Sequence, residues 1–132
     1  MHAVKIHQIS EKYYSYTGAD VEIYADPLIG KVIENLIDNS MRHGKKTHHI
    51  SVTTNEVSGH LTLIYEDDGV GIPDEQKECI FHEGYGKHSG LGLFLIAEIL
   101  AITGLTIREC GIFGRGVRFE IDIPQGKWRE SN

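Results

Sequence analysis

Asn35, Asn39 and Arg42 stand at a spacing that places them within an arc of about 60° if residues 27–43 are helical, with Lys31 at the edge of that arc. The apolar Ile29, Val32, Ile33, Leu36 and Ile37 centre elsewhere on the same helix. One side would then be buried while another presents amides and a cation. Such a stripe suits magnesium and phosphate. Magnesium takes oxygen ligands and keeps water and phosphate as its other partners, and an Asn carbonyl supplies an oxygen without adding negative charge beside a polyphosphate. Arg42 could reach a phosphate oxygen. An ordinary solvated helix face has the same residue types.

Further along, Glu66-Asp67-Asp68-Gly69-Val70-Gly71-Ile72-Pro73 closes an alternating strand with acids and then glycines. A carboxylate buried there can accept a hydrogen bond from the exocyclic amine of adenine. A base with a carbonyl at that position would leave the buried group unpaired. The alternative is a tight turn with solvated acids. Then Gly84-Tyr85-Gly86-Lys87-His88-Ser89-Gly90-Leu91-Gly92-Leu93 leads into an apolar helix. A helix N-terminus offers free N–H groups and partial positive charge to phosphates. Gly90 and Gly92 would let the backbone come close, and Lys87 could cap the outer phosphate. The alternative is a mobile surface loop.

Rival motifs fail residue by residue. In a P-loop the Lys precedes Ser or Thr, but Lys87 precedes His88, and Phe81 stands where the first Gly belongs. The dinucleotide fingerprint breaks at Ser89 after Gly84 and Gly86, and at Leu95 after Gly90 and Gly92. The signature set of Ser/Thr kinases is absent. The eight histidines form no ligand set with Cys at zinc spacing.

These residues need elements to hold them. Strands are expected at Val4–Ile9, Val21–Ala25, Ile50–Val57, Leu61–Glu66, Leu105–Arg108 and Gly116–Ile123, with a turn at Ser58-Gly59. Pro27–His43 reads as a helix capped by Asp26 and stopped by Gly44. Asp74–Glu78 reads as a short helix, and Leu91–Thr103 as one ended by Gly104. The last of these is apolar nearly all round, so it is expected to be buried. Gln125–Asn132 reads as a fraying tail. Strands flanked by helices imply a sheet with helices packed on one face.

A chain of 132 residues suits one domain with a real core. The formal charge of −6 argues against general nucleic-acid binding. Cys79 and Cys110 are too few for a disulfide framework and read as core or semi-buried thiols of a reducing compartment. The apolar runs fall far short of a membrane span, and the first residues lack the apolar stretch of a signal peptide.

The order of these stretches carries a resemblance. Ile33 to Gly44 resembles the N box of the GHKL (Bergerat-fold) ATPase superfamily, which spans gyrase, Hsp90, histidine kinases and MutL. Asp67 to Ile72 resembles its G1 box, Ile80-Phe81 its F box and Gly90-Leu91-Gly92-Leu93 its G2 box. Within the superfamily the chain is most similar to the catalytic and ATP-binding domain of sensor histidine kinases, archaeal-type ones with a Gly-Tyr-Gly-Lys lid in particular. The resemblance implies an α/β (α+β) two-layer sandwich in which a mixed sheet packs on about three helices, with a core over about residues 20–123 of a single domain spanning 1–132.

It also implies roles, with ATP and Mg2+ as the cofactors. Asn39 would ligate magnesium, and Asn35 would support the metal–phosphate site. Arg42 would touch phosphate, with His43 beside it. Asp67 would bind the adenine amine, aided by Gly71, with Gly69 and Ile72 in the same box. Gly90, Leu91 and Gly92 would line the phosphates. Residues 82–89, with Tyr85, Gly86 and Lys87, would form the lid. The implied catalytic set is Asn35, Asn39, Arg42 and Lys87.

Gyrase- and Hsp90-like members carry a water-activating Glu four positions before the magnesium Asn; here that position is Asn35. Glu34 points about 140° away from Asn39 on a helix, and a general base must reach the proton it takes. That favours passing the γ-phosphate to a protein over hydrolysing it. The phospho-accepting His of the family is followed by an acid in a helical hairpin, and only His82-Glu83 has that dipeptide here, within the lid. The expected partners are therefore ATP or ADP, a histidine-bearing helical hairpin elsewhere in the parent kinase, and indirectly a response regulator, with neither nucleic acid nor direct membrane contact, on the cytoplasmic side. A non-catalytic nucleotide-binding regulatory module and an anti-sigma-type serine kinase are the alternatives.

Overall fold

The computed structural model describes residues 2–5, 15–17, 21–25, 29–43, 49–83 and 92–130. In chain order these form β1 (His2–Lys5), β2 (Ser15–Thr17), β3 (Val21–Ala25), α1 (Ile29–His43), β4 (Ile50–Val57), β5 (His60–Asp67), α2 (Leu93–Ile102), β6 (Thr106–Glu109), β7 (Arg118–Ile123) and β8 (Trp128–Glu130). Single 3-10 turns lie at Asp74–Gln76 and Cys79–Phe81.

The main sheet runs β2-β4-β5-β7-β6. β2 lies parallel to β4 and the other pairs are antiparallel, so the sheet is mixed. Period-2 alternation sets its faces. On β5, Leu61, Leu63, Tyr65 and Asp67 are buried while Thr62, Ile64 and Glu66 are more open. Val32, Ile33, Leu36 and Ile37 of α1 and Ile96 and Leu100 of α2 join Leu61, Leu63, Phe119 and Ile121 of the sheet in one core. The helices thus cover one face, as a two-layer sandwich requires. Leu36 and Leu63 are fully buried, and truncating either to Ala would cost about 2–5 kcal/mol.

Turn chemistry fixes the register. Ser58 (φ 52°) and Gly59 (φ 84°) make the two-residue turn between β4 and β5, the geometry that matches strand twist. At the end of α2, Gly104 takes φ 82°. Gly104 N–H donates to Ala101 O at 3.0 Å and Leu105 N–H to Leu100 O at 2.9 Å, a Schellman ending with its apolar pair, Leu100 and Leu105, buried.

The structure revises several expectations. β1 ends at Lys5, and residues 6–9 lie outside the described ones, as do Asp26, Pro27 and Gly44. The expected sandwich of a mixed sheet and helices stands, its helical layer holding two α-helices and two 3-10 turns among the described residues. Asp74–Glu78 is helical only as the 3-10 turn Asp74–Gln76. α2 starts at Leu93 and is not buried all round: Leu95 is 45% and Ile102 69% exposed. A helix on the sheet's outer margin meets the core along one side, and apolar composition does not create a second. Cys79 and Cys110 are both exposed, since one sits in a 3-10 turn and the other follows β6 on the open face. The tail does not simply fray, because Trp128–Glu130 pairs with β3, and Trp128 Nε1–H donates to Gly59 O at 2.9 Å. A short strand anchored by one indole carries too little pattern to read from sequence, and β2 likewise. Among the described residues no helix is long and apolar enough to cross a membrane.

Candidate functional site

Helix α1 buries Val32, Ile33, Leu36 and Ile37 and leaves Asn35 and Asn39 half-buried on an adjoining face. Asn35 and Asn39 of the stripe read from the sequence thus lie side by side next to the buried face. The Asn35 amide nitrogen donates to Lys31 O at 2.8 Å. Asn39 makes no side-chain hydrogen bond that ties it to another described residue, so its carbonyl oxygen suits a hard cation. Glu34 is exposed and pairs with Lys31 at 3.4 Å, away from this face. Arg42 and His43 extend the helix, and their side chains lie outside the described set.

Asp67 sits at the end of β5, facing α1. It is only 8% exposed. Its Oδ1 accepts the N–H groups of Gly69 (2.9 Å) and Val117 (3.0 Å). Its Oδ2 accepts the hydroxyl of Ser40 at 2.6 Å. Ser40 is the residue after Asn39, so the carboxylate expected to read the base is bonded directly to the helix expected to hold the metal. Tyr65, two residues before Asp67 on the same face, places its hydroxyl 2.6 Å from Ser40 Oγ and 3.0 Å from Leu36 O. Burial pushes the Tyr65 phenol far above its usual range; the bond from Ser40 offsets part of this, and the charge of Asp67 adds to it. Tyr65 is therefore a neutral hydroxyl at any ordinary pH. The acidic pair divides its labour: Asp68 is exposed, and its Oδ1 accepts the His49 N–H at 2.9 Å.

The turn after Asp67 passes close to the loop between β6 and β7. Gly71 has φ 77°, and a Cβ there would lie 2.9 Å from Gly116 O. Ile72 and Phe81 pack against the core, Phe81 edge-on to Phe119 at 6.3 Å. Glu109, whose side chain is fully buried, pairs with Lys77 and accepts the N–H groups of Gly111 and Arg118, each at 3.0 Å. Gly92 caps α2 in extended backbone, and a Cβ there would meet nothing within 4 Å. Tyr85, Gly86, Lys87, Gly90 and Leu91 lie outside the described residues.

Sequence reasoning singled out Asn35, Asn39, Asp67 and the glycines, and the structure brings Asn39 and Asp67 together through Ser40. It missed Ser40 and Tyr65. Period 2 back from Asp67 points to Tyr65, but nothing in the sequence pairs Glu109 with Lys77. A cleft of about 240 Å³ lies against Asp67 and is lined also by Glu66, Cys110, Ile112, Arg115 and Arg118 among others; it carries none of the residues expected at phosphate or metal. Among the described residues no group of three His, Cys, Asp or Glu could hold a metal ion.

Residues 25–127 match the family of histidine kinase-, DNA gyrase B- and HSP90-like ATPases. The sensor protein SrrB of Staphylococcus aureus is 31% identical over 121 residues, covering 85% of this chain and 21% of the relative. The chain thus spans about a fifth of the length of the curated relatives it matches. Among solved structures, a mycobacterial sensor histidine kinase, MprB, superposes with a TM-score of 0.79 at 18% identity, covering 98% of this chain and 99% of that one. The ATP-binding domain of PrrB from Mycobacterium tuberculosis gives 0.76 at 17% identity, covering 94% and 96%. These likenesses show the fold.

Proposed function

Because the chain belongs to the family of histidine kinase-, DNA gyrase B- and HSP90-like ATPases, we infer that it is the catalytic ATP-binding domain of a sensor histidine kinase and passes the γ-phosphate of Mg-ATP to a histidine on a separate helical hairpin. The observation that carries this reading is the direct bond between Asp67 and Ser40, which sets a buried base-reading carboxylate one residue from Asn39. Its sequence complement is Asn35, which stands where a water-activating Glu would favour hydrolysis.

In this reading Asp67 Oδ2 accepts the adenine amine. The carbonyl of Asn39 ligates magnesium, and that of Asn35 orients water or phosphate beside it. When bound, magnesium neutralises charge on the phosphate oxygens. Arg42 and Lys87 bear on phosphate, and the N–H groups that open α2 after Gly92 donate to its oxygens. His43, Gly69, Gly71, Ile72, Tyr85, Gly86, Gly90 and Leu91 complete the nucleotide cradle. Catalysis then consists of positioning and charge neutralisation, as phosphoryl transfer usually does. The receiving hairpin, a response regulator downstream of it and a cytoplasmic location belong to the same proposal.

The test mixes this chain with a cognate histidine-bearing hairpin and γ-labelled ATP. Acid-labile, alkali-stable label on the hairpin is expected, and Asn39→Ala should abolish it. Acid-stable label on a serine protein, or nucleotide binding with no transfer to any hairpin, would overturn the kinase assignment.

A further inference from the structure

A carboxylate has about four acceptor directions. In Asp67, three are taken by described residues: Gly69 and Val117 N–H at Oδ1, and Ser40 Oγ–H at Oδ2. One direction at Oδ2 is left. That matches one N–H of a 6-aminopurine and leaves no place for two adjacent donors such as guanine offers.

The Ser40 proton has a competing destination. A helical serine commonly donates back to the carbonyl four residues earlier, which here is Leu36 O. The Tyr65 hydroxyl already lies 3.0 Å from that oxygen and 2.6 Å from Ser40 Oγ. Two hydroxyl protons therefore serve three contacts. The charged acceptor takes the Ser40 proton, because charge-assisted hydrogen bonds are the stronger ones. The Tyr65 proton is left to Ser40 Oγ and Leu36 O, and either use keeps Ser40 turned toward Asp67.

We propose that Ser40 and Tyr65 are positioning residues that set base selectivity: Tyr65 directs the Ser40 hydroxyl onto Asp67, and Ser40 closes all but one acceptor direction of the carboxylate that reads the purine 6-position. This rests on the base-reading role given to Asp67 above. Without the Ser40 proton, Oδ2 has two open directions. It can then take both the ring N–H and the neighbouring 2-amino N–H of guanine, so the preference for adenine over guanine falls.

Calorimetry of Mg-ADP, Mg-IDP and Mg-GDP against wild-type, Ser40→Ala and Tyr65→Phe chains tests this. The wild-type chain should prefer ADP. In both variants the ADP-to-GDP affinity ratio should fall by about tenfold, the worth of one hydrogen bond at this site, while the ADP-to-IDP ratio changes less, because hypoxanthine has the ring N–H without a neighbouring donor. A purely structural role would lower the melting temperature and leave the ratios alone. A wild-type ADP-to-GDP ratio in either folded variant overturns the proposal, while a wild-type chain that binds none of the three overturns the ATP-binding reading beneath it.

Discussion

Asp67 and Glu109 divide adjacent amides of one loop between them: Asp67 Oδ1 takes the N–H of Val117 and Glu109 Oε2 the N–H of Arg118, each at 3.0 Å. Two buried carboxylates thus clamp the start of β7 from opposite strands. The base-reading Asp67 owes its placement to this loop as much as to its own strand, since its own N–H also donates to Val117 O at 3.2 Å.

The clamp leaves no room for a side chain at Gly116. Its φ is 122°, and a Cβ would lie 1.9 Å from Asp67 O. Gly116→Ala should therefore displace the loop and destabilise the chain by more than about 3 kcal/mol, since strain and lost carboxylate bonds add. Urea unfolding checks this. A midpoint within experimental error of wild type would show that the loop can move without consequence to Asp67.

Lys77 completes the other half of the clamp by pairing with Glu109 and donating to Gly111 O at 2.9 Å. Lys77→Met keeps the length of the side chain and leaves a buried carboxylate without its counter-ion. Breaking such a pair from one side costs about 3–5 kcal/mol. The two amides that still serve Glu109 favour the lower end. Replacing both partners, as Lys77→Met with Glu109→Leu, should recover less than expected from the pair alone, because Glu109 also holds two backbone groups.

Much of this was legible beforehand for a physical reason. α1 is long, and its polar and apolar arcs separate cleanly, so spacing alone places Asn35 and Asn39 on one face. β5 alternates strictly after the Ser58-Gly59 turn, and β4 alternates over its first four residues before it. What escaped notice was set by contacts distant in sequence. Glu109 and Lys77 are 32 residues apart, and Val117 meets Asp67 across 50. α2 misled because its composition is apolar all round while its place in the sheet covers one side only. Trp128 is a lone aromatic in a polar tail, and only its bond to Gly59 reveals why a strand forms there.

Acid should find its first purchase on the open face of the sheet. The bond from Arg118 holds Glu120 down at about 2; partial burial opposes this, and Cys110 and Arg108 reinforce it. A carboxyl whose folded value is depressed contributes stability that is full above its unfolded value, about 4.3, and is lost as pH falls through the folded one. Glu120→Gln should remove that contribution. The wild-type and variant stability curves should then differ at pH 6 and converge between about pH 4 and 2, with a smaller gap in high salt. Parallel curves down to pH 2 would assign the acid sensitivity to other carboxylates.

The last prediction concerns what Asn35 withholds. Asn35 and Asn39 are one helical turn apart on the same face, and the Asn35 amide is held by Lys31 O at 2.8 Å. A carboxylate in its place would stand beside the site proposed for magnesium and the γ-phosphate, within reach of a water there. Asn35→Glu should therefore convert part of the bound ATP to ADP without any hairpin present. General-base catalysis typically contributes about 10²–10⁴-fold, and a base introduced without supporting contacts should reach at most the low end, about a hundredfold over wild type. Phosphate release under saturating Mg-ATP measures it, with Asn35→Gln as the control for side-chain length. Equal release by the Glu and Gln variants, with ADP affinity retained in both, would mean that Asn35 does not face the γ-phosphate and that something other than a missing base suppresses hydrolysis.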